Sequence, residues 1–148
     1  ERFGMEYVAA DGSRQRPIMI HRAIFGSLER FFGILIENYA GDFPLWLAPV
    51  QVRLLPVSEA QRDYANEVVK TLVSKGYRAE VDVSGARLGK QIRTAELEKI
   101  PVTAVIGQRE VESQSLSIRT RKSGDLGALT VSDVIEKLEG AIAQKNTF

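Results

Sequence analysis

The sequence predicts an α/β fold, with a mixed sheet of about five strands flanked by three helices, preceded by a separate hairpin and helix. From Val50 onward, apolar runs of strand length alternate with amphipathic helical patterns in the order βαβαβββα, which is typical of a sheet with crossover helices. The nearly continuous apolar run Val102–Gly107 predicts a central strand covered on both faces. Asp11-Gly12 between two apolar runs predicts a tight hairpin.

The N-terminal part predicts that hairpin and one helix. We expect its strands at residues 6–10 and 16–21. Ser27 is a suitable N-cap for the helix, and Gly41 is a suitable stop. The apolar positions of this helix recur at helical spacing and make one face: Leu28, Phe31, Phe32 and Leu35.

A domain boundary is predicted where helix formation becomes unfavourable. Two prolines interrupt residues 43–49, and proline removes a backbone donor and clashes with the preceding turn. We therefore predict two domains, residues 1–48 and residues 49–148. The first could not bury its own apolar faces, since a hairpin and one helix are too few elements.

Capping signals delimit the helices of the second domain. Ser58 with Gln61 forms a capping box for a helix that ends at Gly76, and Thr130 with Asp133 caps the last helix. The remaining predicted elements are strands at 50–55, 77–83, 102–107 and 116–121 and a helix at 88–99, with one more strand before the last helix.

Composition excludes several classes of protein. The chain has 148 residues, 44% of them hydrophobic and 26% charged, which is normal for a soluble globular protein. No run approaches the roughly 18 apolar residues of a membrane span, and no secretory signal is visible. The first residue is Glu1 rather than Met, so we expect an excised segment. With no cysteine, the chain can form neither disulfides nor thiolate metal sites.

The charge balance bears on nucleic-acid binding. A formal net charge of +1 is not that of a non-specific nucleic-acid binder, so basic residues must be concentrated locally if RNA is a partner. Arg119, Arg121 and Lys122 form such a cluster. No DNA or membrane partner is expected.

Residues 17–49 contain a recognisable motif. His21 and the pair Glu29-Arg30 stand at fixed distances around Gly26-Ser27, with the lead-in His21-Arg22-Ala23. This pattern resembles the third signature motif of class II aminoacyl-tRNA synthetases, and the lead-in is the one that threonyl-tRNA synthetases carry. The rest of the chain resembles the anticodon-binding domain of the same enzymes. The resemblance implies the C-terminal part of a longer enzyme, with residues 1–48 the end of its catalytic domain.

The resemblance also implies cofactors for the whole enzyme, which attaches threonine to its tRNA using ATP with magnesium. Arg30 and Ser27 correspond to ATP-binding positions, and arginine suits phosphate because its planar fork bonds it in two places. His21 corresponds to one of three zinc ligands, the other two lying earlier in the family's chain. Because this chain supplies one ligand, we expect no cofactor bound to it alone and no catalysis by it.

The implied partner is a threonine tRNA. Arg93, Glu110 and Arg119 match positions that contact the middle and third anticodon bases in the family. Their chemistry suits it, since unstacked loop bases are read by hydrogen bonds to their edges. Gly85 departs from the family, because some relatives carry an asparagine there that helps to read the anticodon.

Other expectations and alternatives remain open at this stage. We expect the parent enzyme to be a homodimer, this chain to self-associate through its N-terminal apolar face, and the location to be the cytoplasm or an organellar matrix or stroma.

Two alternative functions are a non-catalytic RNA-binding or regulatory module and an α/β interaction domain. His21 and Arg30 argue against both, since neither function needs them. The prolyl, glycyl and histidyl enzymes share the domain, but His21 points away from them.

Overall fold

The structure is a computed structural model that describes residues 2–146 and 148. The chain divides into two compact units, Glu1–Gly33 and Ile34–Phe148. The predicted domain boundary after residue 48 stays a prediction.

The first unit contains the hairpin. Strands β1 (Tyr7–Val8) and β2 (Arg14–Gln15) pair antiparallel, and the Asp11 carboxylate holds the turn by accepting the amide N–H of Ser13 at 2.9 Å. The predicted second strand at 16–21 is wrong, because the pairing ends at Gln15. Pro17 has no N–H to donate to a ladder, which accounts for the early end.

Helix α1 (Leu28–Tyr39) begins and ends as its capping residues predict. The Ser27 hydroxyl oxygen accepts the amide N–H of Arg30 at 3.4 Å, and the Gly41 amide donates to the Ile36 carbonyl at 3.0 Å. Gly41 has a φ of +74°, which a residue without Cβ adopts at little cost.

The second unit is built on the predicted five-stranded mixed sheet. Its strands are β3 (Val52–Pro56), β4 (Ala79–Val81), β5 (Val102–Ile106), β6 (Ser115–Thr120) and β7 (Gly124–Thr130). They lie in the order β4-β3-β5-β6-β7, with β3 parallel to β4 and β5, and with β6 antiparallel to β5 and β7.

The three predicted helices are present, and a fourth short helix is added. They are α2 (Arg62–Ser74), which follows a 3₁₀ turn at Glu59–Gln61, α3 (Leu88–Leu97), α4 (Gln108–Glu112) and α5 (Val131–Ala143). Both predicted caps form: the Ser58 amide donates to the Gln61 side-chain oxygen at 3.0 Å, and the Asp133 amide donates to the Thr130 hydroxyl oxygen at 3.2 Å. The five-residue α4 was not predicted.

Helices α2 and α5 pack on one face of the sheet. Their buried side chains form one cluster with the strand residues that point toward them: Val52, Leu54, Val102, Ala104, Leu116 and Ile118. Since successive strand side chains alternate between faces, Arg53, Thr103 and Arg119 belong to the opposite face. One face therefore carries the core, and the other carries the polar residues of interest. Among the described residues, no helix is both long and apolar enough to span a bilayer.

Candidate nucleic-acid interface

A row of polar residues crosses the sheet on the face opposite the core. Thr103 on the central strand pairs with Arg53 on one side and Arg119 on the other, and these pair in turn with Glu80 and Asp125. The row therefore reads Glu80, Arg53, Thr103, Arg119, Asp125, with two cations inside two carboxylates. Directly paired residues lie on the same face, so the five side chains form a continuous polar strip.

Arg119 is the exposed cation of this strip. Its main-chain carbonyl accepts the Thr103 hydroxyl at 3.2 Å, and a register shift between Ile118 and Arg119 disturbs the pairing with β7. Such irregularities re-aim side chains. The guanidinium of Arg119 has no hydrogen bond or ion pair with any described residue, so it can bind an external acceptor.

Arg53, by contrast, is engaged within the protein. Its side chain is 12% exposed and makes 2.6 Å ion pairs with Glu80 and with Glu98 at the end of α3. Burial opposes the charged form, but the hydrogen bonds that Arg53 donates to Glu98 and Glu80 outweigh it and raise the pKa of Arg53 above its usual value. Arg53 therefore positions α3 against the sheet. Sequence reasoning missed it, because both partners are distant in sequence.

Arg93 and Glu110 lie on different helices. Arg93 is exposed on α3 and has no side-chain partner among the described residues. Glu110 is half-buried in α4, where one carboxylate oxygen accepts the Gly107 amide at 2.9 Å. That bond caps the helix and fixes the side chain, while the other carboxylate oxygen accepts nothing from the described residues. Glu110 thus caps α4, in addition to its predicted role of reading an anticodon base.

The basic cluster contains one cation that the protein holds in place and one that has no partner among the described residues. The Arg121 guanidinium donates to the Glu96 carbonyl at 3.2 Å and lies 3.6 Å from the Asp42 carboxylate. Lys122 is exposed and has no such partner among the described residues. Arg119 and Arg121 line one small cavity with Thr103, which places part of the predicted cluster beside the polar strip.

Gly85 lies in the loop after β4. Its φ is +62°, and a Cβ at this position would meet nothing within 4 Å. This left-handed conformation suits glycine and is tolerated by asparagine better than by most residues. The backbone thus gives a reason why either residue can occupy this position.

The residues predicted for ATP and zinc lie apart from this interface in sequence. His21, Ser27 and Arg30 are all exposed, and the Ser27 hydroxyl donates to Glu29 at 2.8 Å. A hydrogen bond from its own main-chain amide and the one from Ser27 lower the pKa of Glu29. No group of three His, Cys, Asp or Glu residues that could hold a metal ion occurs in residues 2–146 and 148. A zinc site needs three protein ligands, so the residues of this chain do not fit one by themselves.

Comparison with known proteins identifies the domain on which this interface lies. Residues 51–140 match the family model described as the anticodon binding domain. The chain belongs to the anticodon-binding domain family. The matched residues of this domain include the whole sheet together with Arg93, Glu110 and Arg119.

The similar curated proteins are threonine–tRNA ligases. The chain is 63% identical over 148 residues to the threonine–tRNA ligase of Synechocystis, and 66% identical over 145 residues to that of Synechococcus elongatus. These alignments cover 100% and 98% of the chain but 24% of each relative. The chain with the anticodon-binding domain thus spans about a quarter of the curated relatives it matches.

Solved structures agree on the fold of the anticodon-binding domain. The RNA binding domain of threonyl-tRNA synthetase from Cryptosporidium parvum matches with a TM-score of 0.75 and 33% identity, over 94% of this chain and 36% of that one. Prolyl-tRNA synthetase from the same organism matches with a TM-score of 0.62 and 23% identity, over 69% of this chain and 22% of that one. The second likeness concerns the fold alone.

Proposed function

We propose that this chain binds the anticodon loop of a threonine tRNA, as part of a protein that attaches threonine to that tRNA using ATP. The observation that carries the proposal is the 63% identity along the full length of the chain to a threonine–tRNA ligase. The anticodon-binding domain supplies the surface, and the strip on its sheet supplies an unpaired cation at Arg119.

Three residues are proposed to read bases. Arg119 and Arg93 donate to carbonyl acceptors of guanine or uracil, and Glu110 accepts from their ring N–H groups. The geometry supports this assignment, because both guanidinium groups are exposed without partners among the described residues and Glu110 keeps one carboxylate oxygen available.

Two substitutions separate base reading from attraction to phosphate. Arg119→Ala should weaken binding to a threonine anticodon stem-loop and reduce discrimination against a mismatched anticodon, since a base contact is worth about 1–3 kcal/mol. Lys122→Ala should weaken matched and mismatched RNAs alike and lower the salt dependence, as expected for a phosphate contact. Both are read by titrating the two stem-loops at two salt concentrations. Equal loss for both RNAs, or no loss, in Arg119→Ala would contradict its assignment.

The cofactors are proposed for the whole protein. There ATP with magnesium would activate the amino acid, with Arg30 at the phosphates and Ser27 as a further ATP-binding residue. His21 is proposed as one of three zinc ligands, the others lying outside this chain. Metal analysis after dialysis of this chain should give far less than one equivalent of zinc, and a retained equivalent would overturn this reading.

Self-association is proposed for the N-terminal unit, and a homodimer for the whole protein. Large apolar side chains of this unit are exposed, with Ile18 at 90% and Ile20 at 88%. Exposed apolar patches drive association. Light scattering should show a concentration-dependent mass for the chain, and a strict monomer at high concentration would count against it.

The proposed location is the cytoplasm, or the matrix or stroma of an organelle. A chain without cysteine is compatible with a reducing compartment. Fractionation of cells that carry a tagged full-length protein tests this.

A further inference from the structure

The loop that joins helix α1 to strand β3 is held in place by side chains from several elements. We call residues 40–48 the connector. Within it, Leu45 is 1% exposed and Ala48 is 2% exposed, although both lie outside the helices and strands. Loops are usually exposed and more mobile than the elements they connect. The connector therefore differs from an ordinary loop, and its contacts account for the difference.

Gln51 and Arg78 hold the second half of the connector. The Gln51 side-chain nitrogen donates to the Leu45 carbonyl at 2.9 Å. The Arg78 guanidinium donates to two further carbonyls, those of Trp46 at 2.9 Å and of Ala48 at 2.8 Å. Gln51 and Arg78 also bind each other, since the Arg78 amide donates to the Gln51 side-chain oxygen at 3.0 Å. This half of the connector therefore cannot move without breaking several hydrogen bonds.

Lys99 and Arg121 hold the first half of the connector, where α1 ends. The Lys99 ammonium group donates to the Ala40 carbonyl, and a Cβ added at Gly41 would lie 3.5 Å from the same ammonium nitrogen. The Arg121 guanidinium lies 3.6 Å from the Asp42 carboxylate. Ala40 and Gly41 have φ angles of +49° and +74°, so the chain leaves the helical path here. Both contacts thus fall at the point about which α1 could swivel.

The backbone of Lys99 is unusual for a lysine. Its φ is +60°, in the left-handed region that favours glycine. Two hydrogen bonds end helix α3 here, from the Lys99 amide to the Glu96 carbonyl at 3.2 Å and from the Ile100 amide to the Ala95 carbonyl at 3.0 Å. Glycine is the usual residue at such a helix end, but it has no side chain to reach the connector. Backbone strain of this kind often accompanies a functional role of the residue.

The residues that hold the connector lie near one end of the sheet. Gln51 and Arg78 immediately precede β3 and β4, and Arg121 immediately follows β6. The strand register brings these positions to the same end, because β6 runs antiparallel to the central strand. The residues proposed to read bases are different ones, so the connector can be altered without removing them.

We propose that the connector is a rigid joint, and that Lys99 and Asp42 are positioning residues for the charging of tRNA because they keep α1 from swivelling on the anticodon-binding domain. This inference rests on the proposed function. Arg30, proposed to bind ATP, belongs to α1. Charging joins an amino acid to the 3′ end of a tRNA whose anticodon is bound elsewhere, so a small rotation at the joint displaces the reacting end. A displacement of about 1 Å can cost on the order of 100-fold in rate.

The double variant Lys99→Gly/Asp42→Asn releases the turn. Glycine relieves the left-handed backbone while it removes the bond to Ala40, so this change should alter stability little. Asparagine keeps the shape of Asp42 and removes its charge. Gln114→Gly is the matched control, because Gln114 has a φ of +51° and its side-chain nitrogen donates to the Val111 carbonyl rather than to the connector.

Activity measurements separate positioning from a merely structural role. In the full-length protein that carries this chain, the double variant should charge a threonine tRNA with a kcat/KM about tenfold or more below that of the unmodified protein. Activation of threonine without tRNA, measured as ATP–pyrophosphate exchange, should stay unchanged, and so should affinity for the anticodon stem-loop. A structural defect would lower all three alike.

Two further variants complete the activity test. Gln114→Gly should charge normally, and Lys99→Arg, which keeps a cation within reach of the connector, should retain most of the charging. If the double variant loses activation or stem-loop affinity as much as it loses charging, or if it charges as well as Gln114→Gly does, the proposal is overturned.

Spin labels test the joint directly in this chain. Because the chain contains no cysteine, Ile34→Cys on α1 and Lys70→Cys on α2 provide two unique attachment sites, and both positions are exposed. The distance distribution from double electron–electron resonance, recorded with excess unlabelled chain, should be narrow in the otherwise unmodified chain and in Gln114→Gly. It should broaden in Lys99→Gly/Asp42→Asn.

The same measurement keeps the two proposals apart. A broad distribution without the double change, or an equal width in all three samples, would show that these contacts do not make a rigid joint. If the full-length protein charges no threonine tRNA, the proposed function fails, while the distance distributions still decide whether the joint exists.

Discussion

The hydroxyl of Thr103 donates a 3.2 Å hydrogen bond to the main-chain carbonyl of Arg119, its direct partner across β5 and β6. The central strand thereby holds the backbone of the exposed arginine at the point where the pairing with β7 becomes irregular. A side chain can read a base only if its backbone is held in place, because small displacements weaken directional hydrogen bonds.

Thr103→Val tests this link. It removes the hydroxyl and should cost about 0.5–1.5 kcal/mol of stability. It should also weaken binding to the matched stem-loop, though less than Arg119→Ala does. Thr71→Val is the control, since its hydroxyl bonds to the Glu67 carbonyl on α2, away from the strip. Equal RNA affinity in the two valine variants would show that the bond does not position Arg119.

Arg53→Met should destabilise the second unit. It leaves Glu80 and Glu98 without their shared cation, and loss of one partner from a largely buried pair is costly. Because the two carboxylates are about half exposed, we expect roughly 1–3 kcal/mol, below the value for a fully buried pair. Urea unfolding measures it. Arg53→Lys should recover part of the loss, and failure to do so would attribute the effect to packing.

Stability should fall at alkaline pH. Burial raises the pKa of both Tyr64 and Tyr77 above the usual value. The nearby carboxylate of Glu67 adds to the shift at Tyr64, and that of Glu139 adds to it at Tyr77. A raised folded-state pKa means that the stability they contribute is fully present below the unfolded pKa of about 10 and is lost as pH rises through the folded value. Thermal melts from pH 8 to 11 should show this loss.

Tyr64→Phe is the variant that isolates one of these groups. It removes the hydrogen bond from Tyr64 to the Ser115 carbonyl, so it should be less stable at pH 8. It should also lose less stability than the unmodified chain between pH 9 and 11. An unchanged slope in that interval would mean that other groups carry the alkaline loss.

Thr130→Ala should destabilise helix α5. The Thr130 hydroxyl oxygen accepts the Asp133 amide, and the Asp133 carboxylate accepts the Thr130 hydroxyl and amide in return. Loss of an N-cap costs about 1 kcal/mol. Thr130→Ser, which keeps the hydroxyl, should retain most of the stability in chemical denaturation. Equal loss in both variants would point to packing of the methyl group instead.

Truncation tests where the self-contained core begins. Leu45 is buried in the cluster, and its carbonyl accepts the Gln51 amide. The Lys99 ammonium group also donates to the Ala40 carbonyl. Residues 40–148 should therefore fold cooperatively and more stably than residues 50–148, as judged by thermal melts. No transition in the longer piece, or equal stability of the two, would contradict this.

Some of these features could be predicted from the sequence, because they depend on local spacing. The helical spacing of Tyr64, Ala65, Val68 and Leu72 predicts one buried face for α2, and these are the four residues that the structure buries on it. The spacing of these residues along the helix indicates which face packs on the sheet. The caps at Ser58 and Thr130 were readable for the same reason, since a cap involves residues three apart.

The features that could not be predicted depend on distant pairing or on very short elements. The five residues of α4 are too few to show a helical period, and their one local signal was Glu110 three residues after Gly107. In the sequence, Arg53 is one charged residue within an apolar strand. Its partners Glu80 and Glu98 come close to it only when β4 and α3 pack beside that strand.

The strand order has a consequence for how the chain folds as it is synthesised. Strand β3 comes first in the sheet, yet it lies inside it, and both of its neighbours, β4 and β5, follow later in the chain. Until Ile106 has been made, Val52, Leu54 and Leu55 cannot have the surroundings that bury them in the finished structure. Parallel pairing over such long connections is slow, and exposed apolar strands aggregate in the meantime. The nascent chain is therefore most in need of chaperone protection between the emergence of β3 and that of β5.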